Sequence, residues 1–130
     1  MFSQTVEYAL IAVVFLSKNE GKYFNAKEIS NQTKIPPAYL SKILQGLSHS
    51  TIIESKRGTE GGYKIGRLPE EISVLEVVNL VDPIERIEKC PLNMPEHQDK
   101  LCSLHKRLDK MIEDTQLELC HSTIADIIAG

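Results

Sequence analysis

Three features of the sequence predict a mainly α-helical fold with one small β-hairpin. Apolar residues recur at helical spacing between residues 4 and 47, in segments broken by Gly21 and by Pro36-Pro37. A stretch carrying three glycines, "IIESKRGTEGGYKIG", follows them. Near the C-terminus, Leu101, Leu104, Leu108, Met111 and Thr115 step by 3, 4, 3 and 4, the spacing of a coiled-coil seam. Together they describe a winged helix-turn-helix followed by a long C-terminal dimerisation helix.

Taken in order, Gln4 to Lys18 carries Val6, Leu10, Val13, Val14 and Leu16 with Ala9 and Ala12 between them, a helix with a wide buried face. Asn25 stands three residues before Glu28, a capping-box spacing, and opens a short helix ending near Thr33. Pro36 and Pro37 stop that helix and start the next, because proline is favoured in a first turn. The next helix carries Tyr39, Leu40, Ile43, Leu44 and Leu47, with Leu40, Ile43 and Leu44 as core positions. Ile52–Lys56 and Tyr63–Ile65 are the strands of a hairpin, and Gly58, Gly61 and Gly62 permit positive φ at its tip. Ser73 and Glu76 repeat the capping-box spacing ahead of a helix that Asp82-Pro83 ends. A polar loop precedes the long helix, expected from about Asp99 to Leu119, and "TIADIIA" forms a last short helix. The chain divides into residues 1–82, a winged helix-turn-helix unit; 83–100, a sensor loop; and 101–130, the dimerisation helix with the closing short helix.

Composition narrows the class. The 130 residues are 42% hydrophobic and 25% charged, enough to bury one core. No apolar run reaches the ~20 residues of a membrane span, so no membrane partner is expected. "YALIAVVFL" lacks the basic flank and cleavage site of a signal peptide. Three cysteines, an odd number, fit a reducing cytoplasm better than a disulfide scaffold. The net charge of −3 hides an asymmetry: residues 1–67 balance at +4 and residues 68–130 at −7. A basic first half fits a nucleic-acid partner.

The second short helix of the pair is the one expected to enter a major groove. Its outward positions include Ala38, Tyr39, Ser41, Lys42 and Gln45. Ser, Lys and Gln can hydrogen-bond base edges or phosphates, and Ala can touch a thymine methyl. Lys56 and Arg57 stand at the hairpin tip, where an arginine can read minor-groove width. A solvated polar face is the plainer account of Ser41 or Gln45, and a helix-turn-helix that binds protein without binding DNA is a rival account of the whole. An enzyme is not expected. A Cys/His pair is present, but no orienting third residue and no glycine-rich phosphate cradle accompany it.

"RGTEGGYKIGRLPEEISVLEVVNLVD" resembles the wing and following helix of the IscR/NsrR (Rrf-two) family of bacterial transcriptional regulators. "EYALIAVVFL" resembles that family's first helix, "AKEISNQTKIPPAYLSKILQGL" its helix-turn-helix, and "TIADII" its closing helix. The resemblance covers nearly the whole chain. It implies a homodimer that binds a pseudo-palindromic double-stranded operator, with the long helices paired across the two-fold axis.

The resemblance also gives "CPLNMPEHQDKLCSLH" a meaning. Family members often hold an iron–sulfur cluster on three cysteines here and sense redox state, nitric oxide or iron–sulfur status. Cys90 matches the first cysteine and Cys102 the last, but the middle position falls near Glu96 and His97, where no cysteine stands. Cys102 and His105 resemble the Cys-x-x-His in which the histidine is a ligand, and Glu7 stands where some members supply a carboxylate from the partner subunit. Cys90, Cys102, His105 or His97, and Glu7 would give two thiolates and two harder ligands, which suits a [2Fe-2S] cluster. Plainer accounts stand beside these. His105 fits an exposed helix residue, and Glu7 fits a first-turn acid favoured by the helix dipole. Cys120 fits a small buried hydrophobe better than a ligand. Some family members carry no cluster and respond through thiol chemistry or a partner protein. Cys90 and Cys102 could then form a reversible disulfide.

Overall fold

The computed structural model describes residues 2–90, 92–97 and 100–130. Among these residues six helices and one hairpin follow the expected order: α1 (Gln4–Lys18), α2 (Ala26–Thr33), α3 (Pro37–Leu47), β1 (Ile53–Lys56), β2 (Gly62–Ile65), α4 (Val74–Val81), α5 (Ser103–His121) and α6 (Ile124–Ala129). Single 3-10 turns lie at Pro69–Glu71 and Pro95–His97.

Local chemistry sets the helix boundaries. Ser3 caps α1 by accepting from the Val6 amide. Both expected capping boxes form, Asn25/Glu28 on α2 and Ser73/Glu76 on α4, and Thr123/Asp126 adds a third on α6. Lys34 takes the left-handed conformation (φ 64°) at the end of α2. The tight turn that follows buries Ile35 and delivers Pro37 as the first residue of α3.

Val6, Ala9, Val13 and Leu16 recur at steps of 3, 4 and 3 and bury one face of α1. That face packs against α3 and α4, with α2 and α6 also in contact. α3 buries Leu40, Ile43, Leu44 and Leu47. Each such side chain contributes about 1.5–3 kcal/mol when fully buried, which fixes the rotation of α3 and therefore which of its residues face outward. β1 and β2 pair antiparallel with Ile53 opposite Ile65 and Lys56 opposite Gly62. Phe24 adds a bridge to Tyr63, so the turn between α1 and α2 lies along the hairpin as a third, very short strand.

Three details differ from the sequence reading. The expected start of the long helix at Asp99 lies outside the described residues; α5 begins at Ser103, so Leu101 precedes the helix. Gly58 and Gly62 take positive φ, but Gly61 does not: its constraint is space, because a Cβ there would meet the Lys56 carbonyl. α6, grouped with α5 by chain order, packs into the core that α1 and α3 form. Ile124 is fully buried there, and antiparallel bonds between Ile72–Val74 and Ser122–Ile124 hold it.

Candidate nucleic-acid interface and sensor loop

All seven residues expected to face DNA are exposed: Ala38, Tyr39, Ser41, Lys42 and Gln45 on α3, and Lys56 and Arg57 on the hairpin. The alternation of buried and exposed positions along α3 follows from its helical period. Tyr39 is not a free rotor. Its ring meets Tyr8 of α1 edge-on at 5.7 Å, and Gln4 donates to the Tyr8 hydroxyl at 3.0 Å. The hairpin is held from both sides. Gly62 lies so close to the Phe24 carbonyl that a side chain would collide with it. Arg67, just beyond β2, donates to both carboxylate oxygens of Glu76 on α4, at 3.0 and 3.3 Å, and to the Glu71 carbonyl.

Beyond α4, residues 84–87 run along α5. Arg86 grips Asp109 with two bonds of 2.8 and 2.7 Å and reaches Glu113 at 3.4 Å. The Ile87 amide donates to Asp109 at 2.9 Å, and Gln116 donates to the Ile84 carbonyl. The guanidinium and the Ile87 amide together hold the Asp109 carboxyl down to about 2. The same pairing raises Arg86.

Cys102 is the N-cap residue of α5, and His105 lies one turn on. Their Sγ and Nδ1 atoms are 3.3 Å apart. His105 is buried to 3% exposure, which corrects the account of it as an exposed helix residue. Cys90 is half-buried where the loop begins. Glu7 is exposed on α1, beside a shallow groove that also takes in Lys18 and Ile127. The side chain of His97 lies outside the described residues. Cys120 is exposed rather than buried. It lies eighteen residues along α5 from Cys102, or ~27 Å at the helical rise, too far to share a site within one chain. Among the described residues no group of three or more His, Cys, Asp and Glu converges as metal ligands. Among the described residues the chain brings Cys102 and His105 together.

The sequence reading missed the Arg86–Asp109 strap and the Tyr8–Tyr39 contact. The residues of each lie far apart in the chain, and no local spacing signals such a pair.

A helical core with an exposed polar helix followed by a basic glycine hairpin defines a winged helix-turn-helix protein. Residues 2–130 match the Rrf2 family, described as an iron-dependent transcriptional regulator. A helix-turn-helix transcriptional regulator by name from Aquifex aeolicus is 30% identical over 98% of this chain and 91% of its own length. The regulator NsrR of Bacillus licheniformis is 28% identical over 94% of this chain and 87% of its own. The solved structure of CymR, the global cysteine regulator of B. subtilis, superposes with a TM-score of 0.77 at 21% identity, covering 99% of this chain and 96% of that one. The chain belongs to the Rrf2 family of transcriptional regulators. It is not an enzyme, and no helix among the described residues is long and apolar enough to cross a membrane.

Proposed function

We propose that two copies of this chain pair through α5 and bind a pseudo-palindromic DNA operator, with α3 in the major groove and the hairpin at the flanking minor groove. One observation carries this reading. α3 turns Leu40, Ile43, Leu44 and Leu47 inward and leaves Ala38, Tyr39, Ser41, Lys42 and Gln45 outside. Lys56 and Arg57 are likewise exposed on the hairpin that follows α3. The apolar stripe of Leu104, Leu108 and Met111, exposed on α5, supplies the face for pairing. The test is the salt dependence of duplex binding by Arg57→Ala. Losing one phosphate or groove contact per protomer lowers the slope of log K against log salt by about 0.9 per contact. An unchanged slope refutes the role given to Arg57, and a wild type that binds no duplex favours a protein-interaction module.

Cys102 and His105 form the sensing pair in this reading. Their donor chemistry, a sulfur and an imidazole nitrogen on one turn of helix, fits two positions of an iron–sulfur site. Cys90 and Glu7 of the partner subunit would supply the others. A [2Fe-2S] cluster held there would provide a centre that responds to redox state, nitric oxide or iron–sulfur supply. The 3.3 Å separation of Sγ and Nδ1 equally favours a second reading, in which the Cys102 thiol, beside an imidazole, is the reactive group. Anaerobic reconstitution with iron and sulfide, followed by visible absorption and metal assay, separates the two. A coloured wild type, with cluster lost in Cys90→Ala, Cys102→Ala and His105→Ala, supports the cluster. A colourless, iron-free wild type refutes it and leaves the thiol.

A further inference from the structure

Tyr23 belongs to none of the motifs described above. It precedes Phe24, whose backbone exchanges bonds of 2.9 and 2.8 Å with Tyr63. That antiparallel bridge sets Tyr23 opposite Lys64, and Lys64 is paired in turn with Glu54 on β1. Residues of one such row share a face of the sheet, as does Lys56, two positions beyond Glu54. The side chains meet accordingly. The ammonium of Lys64 lies 5.0 Å from the centre of the Tyr23 ring and that of Lys56 lies 5.5 Å from it. The negative face of the ring attracts both ammonium groups. Lys64 also meets the exposed Glu54 carboxylate at 3.5 Å.

We propose that Tyr23 is a positioning residue for duplex binding, its ring gathering Lys56 and Lys64 into a paired contact for the phosphodiester backbone beside Arg57. The inference rests on the DNA reading of the hairpin given above. A lysine is a long, flexible cation with three donors. Freezing one on binding costs about two- to tenfold in affinity. A ring that already holds the lysines near their working positions removes part of that cost. It leaves their N–H groups on the side away from the ring to reach phosphate oxygens. Glu54 opposes this by holding Lys64, and an arriving phosphate must displace it.

The test uses the full chain, a fluorescently labelled DNA duplex pool and a potassium chloride series. Tyr23→Leu is expected to bind about three- to tenfold more weakly, with its salt slope lowered toward that of the Lys56→Gln/Lys64→Gln double variant. Tyr23→Phe, which keeps the ring face, is expected to match the wild type in both. Replacing Tyr23 by pentafluorophenylalanine keeps the shape and cancels the ring's negative face. It is expected to behave as Tyr23→Leu, and it serves the same comparison should the leucine variant fail to fold. Glu54→Gln is expected to bind more tightly. Wild-type binding by both Tyr23→Leu and the fluorinated variant overturns the proposal. So does weaker binding at an unchanged salt slope, the mark of a merely structural role. A wild-type slope in the double lysine variant, with a lowered slope in Arg57→Ala, overturns the proposal but leaves the DNA reading of the hairpin standing. Wild-type slopes in both overturn the two together.

Discussion

Met111→Glu tests the proposed pairing face of α5 where that face is most open. Met111 is 62% exposed in the single chain and Leu108 39%, with Leu104 one turn earlier. Full burial of a methionine side chain contributes about 1.5–3 kcal/mol. The exposed share that pairing would cover is therefore worth ~1–2 kcal/mol per copy, or ~2–4 kcal/mol for the symmetric pair. At 1.4 kcal/mol per tenfold, the dimer dissociation constant rises about 30- to 700-fold. An added carboxylate at each side of a two-fold axis acts in the same direction, because the two like charges repel. Sedimentation equilibrium over a range of protomer concentrations measures the change, and circular dichroism checks that the fold is retained. A dissociation constant within threefold of wild type refutes the assignment of this face. So does a wild type that is monomeric throughout.

Two further outcomes follow from the packing and the charges. Ile124→Ala removes a fully buried side chain from the core that α1 and α3 form and should cost about 2–5 kcal/mol in urea unfolding at fixed protomer concentration; a loss under about 1 kcal/mol would mean that α6 is a tail and not part of that core. Asp109, held at about 2 in the folded chain against an ordinary carboxylate value near 3.8, stabilises the fold above its unfolded value and loses that contribution as pH falls from about 4 to about 2. Thermal unfolding of Asp109→Asn should therefore follow a flatter pH profile than wild type in that window, and parallel profiles would show that the strap to Arg86 contributes nothing.

How much of this was legible in the sequence depends on the range of the interaction. Capping boxes are local, and Asn25/Glu28 and Ser73/Glu76 both form where their spacing places them. The buried face of α3 follows from its period, so the exposed residues of that helix follow too. The wing glycines were legible as a group, but their separate reasons were not. Gly58 needs a positive φ and nothing crowds it, whereas Gly62 must also admit the Phe24 carbonyl from a different element. Burial of His105 was not legible either. A histidine among Leu104, Lys106 and Arg107 reads as a surface residue until the entry of the chain into α5 is known. Cys120 failed in the opposite sense: a cysteine suggests burial, but its place on the last turn of α5 leaves it in solvent.

α5 is tied to α4 and its flanking chain at both ends, and the attachments differ in kind. Near its start, Cys102 and His105 lie on the turn before Asp109, whose carboxylate holds Arg86 and the chain leaving α4. Beyond its end, Thr123 pairs with Ser73, the cap of α4. Ser73 donates its amide to Glu76, and Glu76 accepts from Arg67 at the foot of β2. One connected set of polar contacts therefore runs from the C-terminal end of α5 to the base of the wing. A separate set ties its N-terminal end to the exit of α4. A helix pinned at two points cannot shift at one without loading the other, because α5 is continuous over its nineteen residues. In the sensing reading proposed above, a change at the Cys102–His105 pair that tilts α5 has a polar route to the wing through Thr123, Ser73, Glu76 and Arg67. It need not pass through the apolar core, whose close packing resists small displacements.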